Sequence, residues 1–289
     1  MKIAFLALEP TYSSKRLREE AVKRGHAFDF IDFEDCKITA AGITYKGALL
    51  GAYDAVLPRI MPDLFNYGVE LTRAFEGLAP LVADTAQSIE TAGNKLKTHE
   101  LLERAGMASP RTRALGTADE LDDVIARLGL PLVIKTSVGT QGAGVELART
   151  REEAYALVEK LLASKREFLV QEFIEEAGGA DIRVFVVGDK AVAAMKRQGK
   201  DGEFRSNIYL GGSTQAVVLD PAEERLAVKA AQALGLGYAG VDLLRSERGP
   251  LIIELNASPG LEGIETTSGV NVAGAIIEYL EMQLSASGN

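Results

Sequence analysis

Short apolar runs alternate with helical patterns through the first ninety residues, and this alternation restricts the fold more than any other feature of the chain. The apolar runs predict β-strands at Lys2–Leu8, Phe28–Asp32, Ala55–Pro58 and Leu81–Asp84. Helical patterns lie between some of these runs, at Ser14–Arg24 and around Leu64–Glu76. Strands that alternate with helices are typical of a parallel sheet covered by helices. We therefore expect an α/β domain over residues 1–90.

The segment after the first strand limits what this domain can bind. It reads Glu9-Pro10-Thr11-Tyr12, whereas a dinucleotide-binding turn needs Gly-x-Gly-x-x-Gly at this place. A dinucleotide site is therefore disfavoured. The helix that follows is predicted to have Ser13 or Ser14 as its N-cap, because serine side chains can cap a helix, and to stop at Gly25.

The pattern changes from about Thr91 onward. Helices are predicted at Lys95–Ala105, Thr117–Leu128, Arg151–Ala163, Pro221–Leu234 and Val272–Leu284. Strands are predicted at Pro131–Thr136, Val145–Ala148, Phe168–Ile174, Asp181–Val187, Ala191–Lys196, Ala239–Leu244 and Leu251–Leu255. The second of these helices carries Thr117 as its predicted N-cap and Glu120 at the capping-box position. Mostly antiparallel strands with flanking helices favour an α+β domain, so we place a domain boundary near residue 90.

Composition excludes several classes of protein. The chain has 289 residues with 32 Lys+Arg and 41 Asp+Glu, a formal net charge of −9, and this acidic balance disfavours broad nucleic-acid binding. The 47% apolar fraction is enough for a packed core, and no apolar stretch reaches the ~18–20 residues of a membrane span. The single cysteine, Cys36, excludes an internal disulfide and a thiolate metal cluster, and it fits a reducing, cytoplasmic compartment.

Two C-terminal strands carry carboxylates inside apolar runs. Glu254 and Asn256 are two residues apart on one strand, so their side chains point to the same face. Asp242 can join them if the two strands pair as a hairpin. Two carboxylates and an amide oxygen are donors that Mg²⁺ accepts beside water and phosphate. The alternative is an ordinary solvated face, but the turn Asn256–Gly260 that follows could hold an anion through its backbone N–H groups.

A lysine at the end of an apolar strand is the second signal. Lys135 is followed by the glycine-rich segment Gly139–Gly144, which includes Gly142. A lysine in such a place needs a charged partner, and a phosphate is one candidate. The loop lies between two strands, so it resembles a hairpin lid over phosphates more than a Walker A loop. The alternative is a simple glycine-rich turn.

Further candidates surround these two signals. The backbone of Leu169–Ile174 could bind the edge of an adenine, with Phe173 and Ile174 as apolar walls, and Asp181 could accept hydrogen bonds from a ribose. Arg205, in a glycine-flanked loop, could stabilise developing negative charge. Lys95 is a further phosphate candidate, and Arg59 follows a strand at the end where α/β folds bind ligands. The alternative for Leu169–Ile174 and Asp181 is an ordinary core strand with a surface aspartate, and the alternative for Lys95 is a solvated surface lysine.

A basic helix and two histidines complete the survey. Lysines and arginines cluster near the N-terminus of the chain, at Lys15, Arg16, Arg18, Lys23 and Arg24. Most such clusters are solvated faces, although this one could attract an acidic substrate. His26 and His99 show no Ser-His-Asp or metal-ligand spacing, so we expect both to belong to the surface structure.

In order and spacing, these segments together resemble the RimK-type carboxylate–amine ligases of the ATP-grasp superfamily. The resemblance covers nearly the whole chain. Its main segments are Val56-Leu-Pro-Arg-Ile60, Asn94-Lys-Leu96, Val133-Ile-Lys135, Val170-Gln-Glu-Phe-Ile174, Phe204-Arg-Ser-Asn207, Ala239-Gly-Val-Asp242 and Glu254-Leu-Asn-Ala-Ser-Pro-Gly260. It implies an N-terminal α/β pre-ATP-grasp domain over residues 1–90 and an ATP-grasp domain over 91–289. The two α+β lobes that enclose ATP would be residues 91–174 and 175–289.

The resemblance also assigns roles. Residues that would bind ATP are Lys95, Lys135, Gly139, Gly142, Gly144, Glu172, Phe173, Asp181, Arg205, Ser206 and Asn207. Glu172 and Phe173 would hold the adenine and Asp181 the ribose, while Lys135 and Arg205 would act on the transferred phosphoryl group. Asp242, Glu254 and Asn256 would bind two Mg²⁺ ions, for which Mn²⁺ can substitute. Candidate residues for the other substrates are Arg16, Arg59, Ser258 and Gly260.

The activity implied by the resemblance is ATP- and Mg²⁺-dependent amide formation through an acyl phosphate. The implied reaction adds L-glutamate to a C-terminal carboxylate, of a small-subunit ribosomal protein or a glutamate peptide, in a dimeric or tetrameric homo-oligomer. Two alternatives in the same class are addition to a coenzyme tail and synthesis of free poly-glutamate. A non-catalytic ATP-binding regulatory protein and a phosphotransferase are alternatives of other classes.

Overall fold

The computed structural model describes residues 1–60, 62–139, 144–206 and 211–287. Its strands are, in chain order, β1 (Lys2–Ala7), β2 (Ala27–Asp32), β3 (Cys36–Thr39), β4 (Gly42–Tyr45), β5 (Ala48–Leu49), β6 (Ala55–Pro58), β7 (Leu81–Val82), β8 (Thr112–Ala114), β9 (Leu132–Thr136), β10 (Val145–Ala148), β11 (Phe168–Glu172), β12 (Ala180–Val187), β13 (Lys190–Gln198), β14 (Ser213–Ala216), β15 (Tyr238–Ser246) and β16 (Gly249–Asn256). Its α-helices are α1 (Tyr12–Lys23), α2 (Phe65–Phe75), α3 (Ala86–Ala92), α4 (Lys95–Arg104), α5 (Leu121–Leu128), α6 (Arg151–Ala163), α7 (Pro221–Ala233), α8 (Leu261–Ser268) and α9 (Val272–Ser287). None of these described helices is long and apolar enough to cross a membrane.

The N-terminal sheet is parallel, as the alternating pattern predicts. Its strand order is β2-β1-β6-β7, and β1 pairs in parallel with both β2 and β6. Next to it lies a small antiparallel sheet, β3-β4-β5, which the sequence analysis did not predict. Its strands have two to four residues each, and the β4–β5 turn uses positive φ at Lys46 and Gly47. Strands this short carry too little alternation to be recognised by period.

The rest of the chain forms two antiparallel sheets, in agreement with the predicted α+β pattern. One has the order β10-β9-β11-β8 and packs with α5 and α6 around its own hydrophobic cluster. The other has the order β14-β13-β12-β15-β16. On β12, Ile182 and Val184 pack on the side of α7, whereas Phe185 packs on the side of α9. Both of these clusters also contain residues of the parallel sheet, so the five-stranded sheet and the N-terminal sheet share a continuous core.

Two predicted helix caps are wrong. The N-cap of α1 is Thr11 rather than Ser13 or Ser14, because Ser14 closes a reciprocal capping box: the Ser14 N–H donates to Thr11 Oγ1 at 3.4 Å and the Thr11 N–H donates to Ser14 Oγ at 2.8 Å. Thr117 makes no side-chain cap hydrogen bond, because a 3₁₀ turn over Ala118–Glu120 precedes α5. The Glu120 carboxylate accepts from the Gly116 N–H at 3.3 Å instead.

Candidate active site

One face of the five-stranded sheet collects the predicted metal-binding residues. Asp242 lies opposite Glu254 in the β15–β16 ladder, and Gly240 lies opposite Asn256. Residues directly opposite each other in an antiparallel ladder share a face. The two strands do pair as a hairpin, so Asp242 joins Glu254 and Asn256 on one face. Gly240 is constrained there, since a Cβ atom would lie 3.0 Å from Pro259 Cβ.

Asp242 is buried between two arginines that were not assigned a role from the sequence. Arg183 donates to both of its oxygens, with Nη2 2.7 Å from Oδ2, and Arg197 Nη2 lies 2.8 Å from Oδ2. Burial raises the pKa of Asp242, but the two guanidinium groups outweigh it and leave the pKa below its ordinary value. The segment Asp181-Ile-Arg183 could have placed Arg183 at the site, because residues two apart on a strand share a face and Asp181 was already a candidate.

Asp181 lies in the same network. It accepts from Arg197 Nε at 2.7 Å and from the Ser206 hydroxyl at 2.5 Å, so Arg197 bridges the two buried aspartates. Burial raises the pKa of Asp181, which must share Arg197 with Asp242. The predicted ribose ligand and the predicted metal ligand are thus joined through a single guanidinium group.

Lys95 connects the start of α4 to both the glycine-rich segment and the metal-binding face. Its Nζ lies 2.9 Å from the Gly139 carbonyl and 3.2 Å from Glu254 Oε1. The Lys95 N–H donates to the Ser137 carbonyl at 2.8 Å, so α4 begins directly against the end of β9. Asn94 caps the helix by accepting from the N–H groups of the next turn. The structure therefore brings Lys95, Gly139 and Glu254 together.

Lys135 lies on β9 with its side chain buried. Among the described residues, Lys135 Nζ has no hydrogen bond and no carboxylate within 4.0 Å. Burial lowers the pKa of Lys135 to about 8, with Glu254 opposing the shift and Lys95 adding to it. A buried ammonium group without a nearby counter-ion attracts an anion.

The predicted adenine residues end β11. The Glu172 carboxylate accepts from the Arg111 N–H and Arg111 Nε, each at 2.7 Å, and from Arg248. Burial raises the pKa of Glu172, but Arg248 and Arg111 leave it below the ordinary value. The side chain of Glu172 therefore anchors the strand, and only its backbone remains for a base edge. Phe173 follows, with its ring 6.3 Å from that of Phe204.

The side chain of Arg205 forms an ion pair within its own loop. Arg205 donates from Nε and Nη2 to Glu203 at 2.9 and 2.8 Å, so its guanidinium already has a carboxylate partner. Gly144 ends the glycine-rich segment with φ +73°, and a Cβ there would lie 2.4 Å from Thr136 Oγ1. The predicted ATP residues Gly142 and Asn207 lie outside the described residues.

The predicted residues for the other substrates fall into two groups. Arg59 Nη1 donates to the carbonyls of Ser258 and Pro259 at 3.3 and 3.1 Å, and Ser258 Oγ accepts from the Ile60 N–H. Gly260 then caps the start of α8. Arg59, Ser258 and Gly260 are thus neighbours at the carboxyl end of β6.

Arg16 lies with α8 instead of with Arg59. Its Nε is 2.9 Å from Glu265 and its Nη1 is 2.9 Å from Glu19. Hydrogen bonds to Glu265 and Glu19 raise the pKa of Arg16. Its guanidinium therefore helps to attach α1 to α8.

His99 is not a surface residue, contrary to the prediction. It is buried on α4, and its Nε2 lies 3.2 Å from Gln171 Nε2, which also donates to Thr112 Oγ1. Burial lowers the pKa of His99 to about 3, and Lys135 and Lys95 lower it further. The imidazole is neutral at physiological pH. The sequence alone gave no sign of this, because tertiary packing buries the ring and its partner Gln171 is distant in sequence.

The donor set fits Mg²⁺ shared with phosphates. Among the residues that the structure describes, no group of three or more His, Cys, Asp or Glu side chains is placed to hold a metal. Asp242, Glu254 and Asn256 supply two carboxylates and an amide, and a third of the Glu254 side chain is exposed. Mg²⁺ is usually bound through one or two carboxylates with the remaining ligands from water and phosphate. This set therefore suits a phosphate-bound ion rather than a closed all-protein site.

Comparisons with known proteins identify the family of the chain. A family model of the RimK PreATP-grasp domain matches residues 1–89, and one of the RimK-like ATP-grasp domain matches residues 92–280. The chain is 50% identical over 287 residues to the probable alpha-L-glutamate ligase of Halorhodospira halophila, covering 97% of this chain and 95% of that protein. It is 47% identical over 287 residues to the probable alpha-L-glutamate ligase 1 of Hahella chejuensis, with the same coverage.

A solved structure shows the same fold at low sequence identity. The ATP-grasp ligase PsnB, complexed with minimal precursor, Mg and ADP, superposes with a TM-score of 0.76 at 20% identity, covering 98% of each chain. The ATP-grasp fold expected from the sequence is thus confirmed. With family models that together match nearly the whole sequence, the chain belongs to the RimK family of ATP-grasp ligases.

Proposed function

We propose that this ATP-dependent amide ligase adds L-glutamate to the C-terminal carboxylate of an acceptor peptide, with a ribosomal protein as the natural acceptor. Lys135 carries the proposal. It is a buried ammonium group without an ion pair among the described residues, and Glu254 and Lys95 are the charged groups that act on it. The phosphate chain of ATP would supply the negative charge that this ammonium group lacks. We infer L-glutamate as the amine substrate from the relatives, which are named probable alpha-L-glutamate ligase.

We propose that ATP lies between the lobes formed by residues 91–174 and 175–289, behind the domain of residues 1–90. Lys135 and Lys95 would bind the phosphates, the backbone of Glu172 and Phe173 the adenine, and Asp181 the ribose. Asp242, Glu254 and Asn256 would hold Mg²⁺, which supplies charge neutralisation at the transferred phosphoryl group. PsnB, a protein of the same fold, has been seen with Mg and ADP.

The chemistry needs no nucleophilic side chain. The acceptor carboxylate oxygen attacks the γ-phosphorus of ATP, the bond to the β–γ bridging oxygen breaks, and ADP leaves. The amino group of glutamate then attacks the acyl carbon, loses a proton and displaces phosphate to leave an amide. The side chains contribute position and charge, since Lys95 and Lys135 can neutralise phosphate oxygens and Arg205 can leave Glu203 for the developing charge. Arg59, beside Ser258 and Gly260, is the proposed contact for a substrate carboxylate.

The test is phosphate release from Mg-ATP with glutamate, with and without a peptide that ends in glutamates, followed by mass spectrometry of the peptide. We expect mass increments of one glutamate residue. Glu254→Gln should abolish these increments, because it removes one of the two carboxylates that would hold Mg²⁺. Glu224→Gln, on the exposed face of α7, is the matched control and should leave the rate unchanged.

Other outcomes would replace the proposal. Phosphate release without the peptide, together with free glutamate oligomers, would show a poly-glutamate synthetase. A stable phosphorylated peptide would show a phosphotransferase. ATP binding without turnover across a wide set of acceptors and amines would show a regulatory ATP-binding protein.

A further inference from the structure

A cavity of about 370 Å³ lies along the outer edge of β2, and none of its lining residues belongs to the candidate active site. We call it the β2 edge groove. Arg18 of α1 stands on one side, and Tyr45, Leu50 and Tyr53 stand on the other. Phe28 and Phe30 of β2 line the groove between them.

The floor of the groove is an open sheet edge. β2 is the last strand of its sheet, paired only with β1 among the described strands. The Ala27 N–H donates to the Met1 carbonyl at 3.0 Å, so alternate residues from Ala27 onward face β1. Phe28 and Phe30 therefore present their N–H and C=O groups outward, and within the described chain these groups have no hydrogen-bond partner. Such an edge is a template for an added strand.

The two walls of the groove differ in charge. Among the described residues Arg18 has no ion pair or side-chain hydrogen bond, and it is exposed. The charge of Asp29, by contrast, is compensated, because its carboxylate accepts from the Tyr53 hydroxyl at 3.1 Å and lies 3.6 Å from Lys2 Nζ. The wall on the α1 side thus offers an uncompensated positive charge. The opposite wall offers aromatic and aliphatic surface.

We propose that the β2 edge groove binds an extended peptide as a fifth strand of the N-terminal sheet, in which acidic residues alternate with apolar residues. Successive side chains of a strand point to opposite faces. One set of peptide side chains would meet Arg18 and should be acidic, and the other set would meet Tyr45, Leu50 and Tyr53 and should be apolar. The peptide backbone would complete the hydrogen bonds of Phe28 and Phe30. This docking site is independent of which acceptor the ligase modifies.

The structure also separates two arginines of the basic helix. Arg16 is held by Glu265 and Glu19, whereas Arg18 lines the groove without a carboxylate partner among the described residues. Arg18 is therefore the residue of this helix that can bind an acidic partner at the groove. Lys23, on the same helix and outside the groove, provides a matched control.

The experiment measures fluorescence anisotropy of three labelled six-residue peptides with the full-length protein. One alternates Glu and Leu, one has the same residues in two blocks, and one is the alternating peptide N-methylated at every second amide. We expect only the first to bind well, with affinity at least about tenfold above the others. Arg18→Gln should weaken it by a similar factor, Lys23→Gln should not, and added salt should weaken it because of the Arg18 charge.

Hydrogen exchange locates the peptide. We expect the amides of Phe28 and Phe30 to exchange about tenfold more slowly when the alternating peptide is bound. Equal affinity of the alternating and block peptides, equal effects of the Arg18 and Lys23 variants, or absence of binding would overturn the proposal. Protection at β9 or β16 without protection at Phe28 and Phe30 would also overturn it, since the peptide would then occupy the candidate active site. Ligase activity is measured separately, with a peptide acceptor that lacks leucine. Failure of the groove proposal and failure of the proposed ligase activity can then be told apart.

Discussion

The two antiparallel sheets that face ATP in the proposed arrangement treat buried charge in opposite ways. On the five-stranded sheet, Asp181 and Asp242 are buried but are neutralised by Arg183 and Arg197 within a closed network. On the other sheet, Lys135 is buried and has no ion pair among the described residues. One sheet carries its own counter-ions, whereas the other leaves a positive charge to be met by a ligand.

This difference separates buried charges that are neutralised within the fold from a buried charge that is not. Breaking a buried ion pair by removing one partner leaves an uncompensated charge and strongly destabilises a protein. Removing a buried charge that has no partner relieves a desolvation cost instead. The same kind of substitution should therefore have opposite effects on stability in the two sheets.

The largest effect is expected for Asp242→Asn. The neutral amide keeps the shape but leaves Arg183 without a carboxylate partner in the described chain and Arg197 with Asp181 alone, so the free energy of unfolding should fall by about 3–5 kcal/mol. The ligase rate should fall at least about 100-fold, because a metal-binding carboxylate is lost. Urea unfolding and phosphate release check both. Asp189→Asn, in the exposed β12–β13 turn, should change neither, and an unchanged stability of the Asp242 variant would contradict the role of the network.

The next effect is expected for Lys135→Met. ATP affinity should fall by about 10- to 100-fold, because a charge-assisted hydrogen bond to phosphate contributes about 1.5–3 kcal/mol. Stability in the absence of nucleotide should stay equal or rise. Titration calorimetry and urea unfolding test the two parts. Lys160→Met, on the exposed face of α6, should leave ATP affinity unchanged, and a large loss of stability in Lys135→Met would show a hidden partner for the ammonium group.

A smaller effect should appear in the pH dependence of stability. Burial lowers the pKa of Lys135 from 10.5 to about 8, so between these values the unfolded state binds more protons than the folded state. Stability of the wild type, relative to Lys135→Met, should therefore rise as the pH is raised from 8 to 10. Urea unfolding of both proteins across this range gives the difference directly. A difference that is flat or falls with pH would mean that the folded state does not depress this pKa.

The smallest effect is expected for His99→Met. Burial lowers the pKa of His99 to about 3, so the ring carries no charge near neutral pH and its loss should not alter the charge around Lys135. The variant loses the contact with Gln171, which should cost about 1 kcal/mol of stability. The pH profile of kcat/KM between 5 and 8 should keep its shape. A lost inflection in that range would show that His99 titrates and takes part in binding.

Much of the fold followed from local patterns, and the exceptions have physical reasons. β6 and α6 have the bounds that the sequence predicts, because β6 is a continuous apolar run and α6 begins at a capping box of Thr150 and Glu153. The sequence analysis missed the strands β3, β4, β5, β8 and β14 and the helices α3 and α8, since segments of two to eight residues give too little periodicity. The caps of α1 and α5 were misplaced because neighbouring hydroxyls and carboxylates compete for the same backbone N–H groups.

The sequence by itself determined the parallel and antiparallel halves and put Glu254 and Asn256 on one face, because strand period and residue spacing are local properties. Its resemblance to the ATP-grasp ligases indicated the family. The tertiary structure alone decided how charges are compensated. It placed Arg183 and Arg197 on Asp242 and Asp181, tied Arg16 to Glu265, buried His99 against Gln171 and left Lys135 without an ion pair in the described chain. Apart from Asp181 and Arg197, which pair across the β12–β13 hairpin, the partners are distant in sequence, and they are selected only when strands and helices pack.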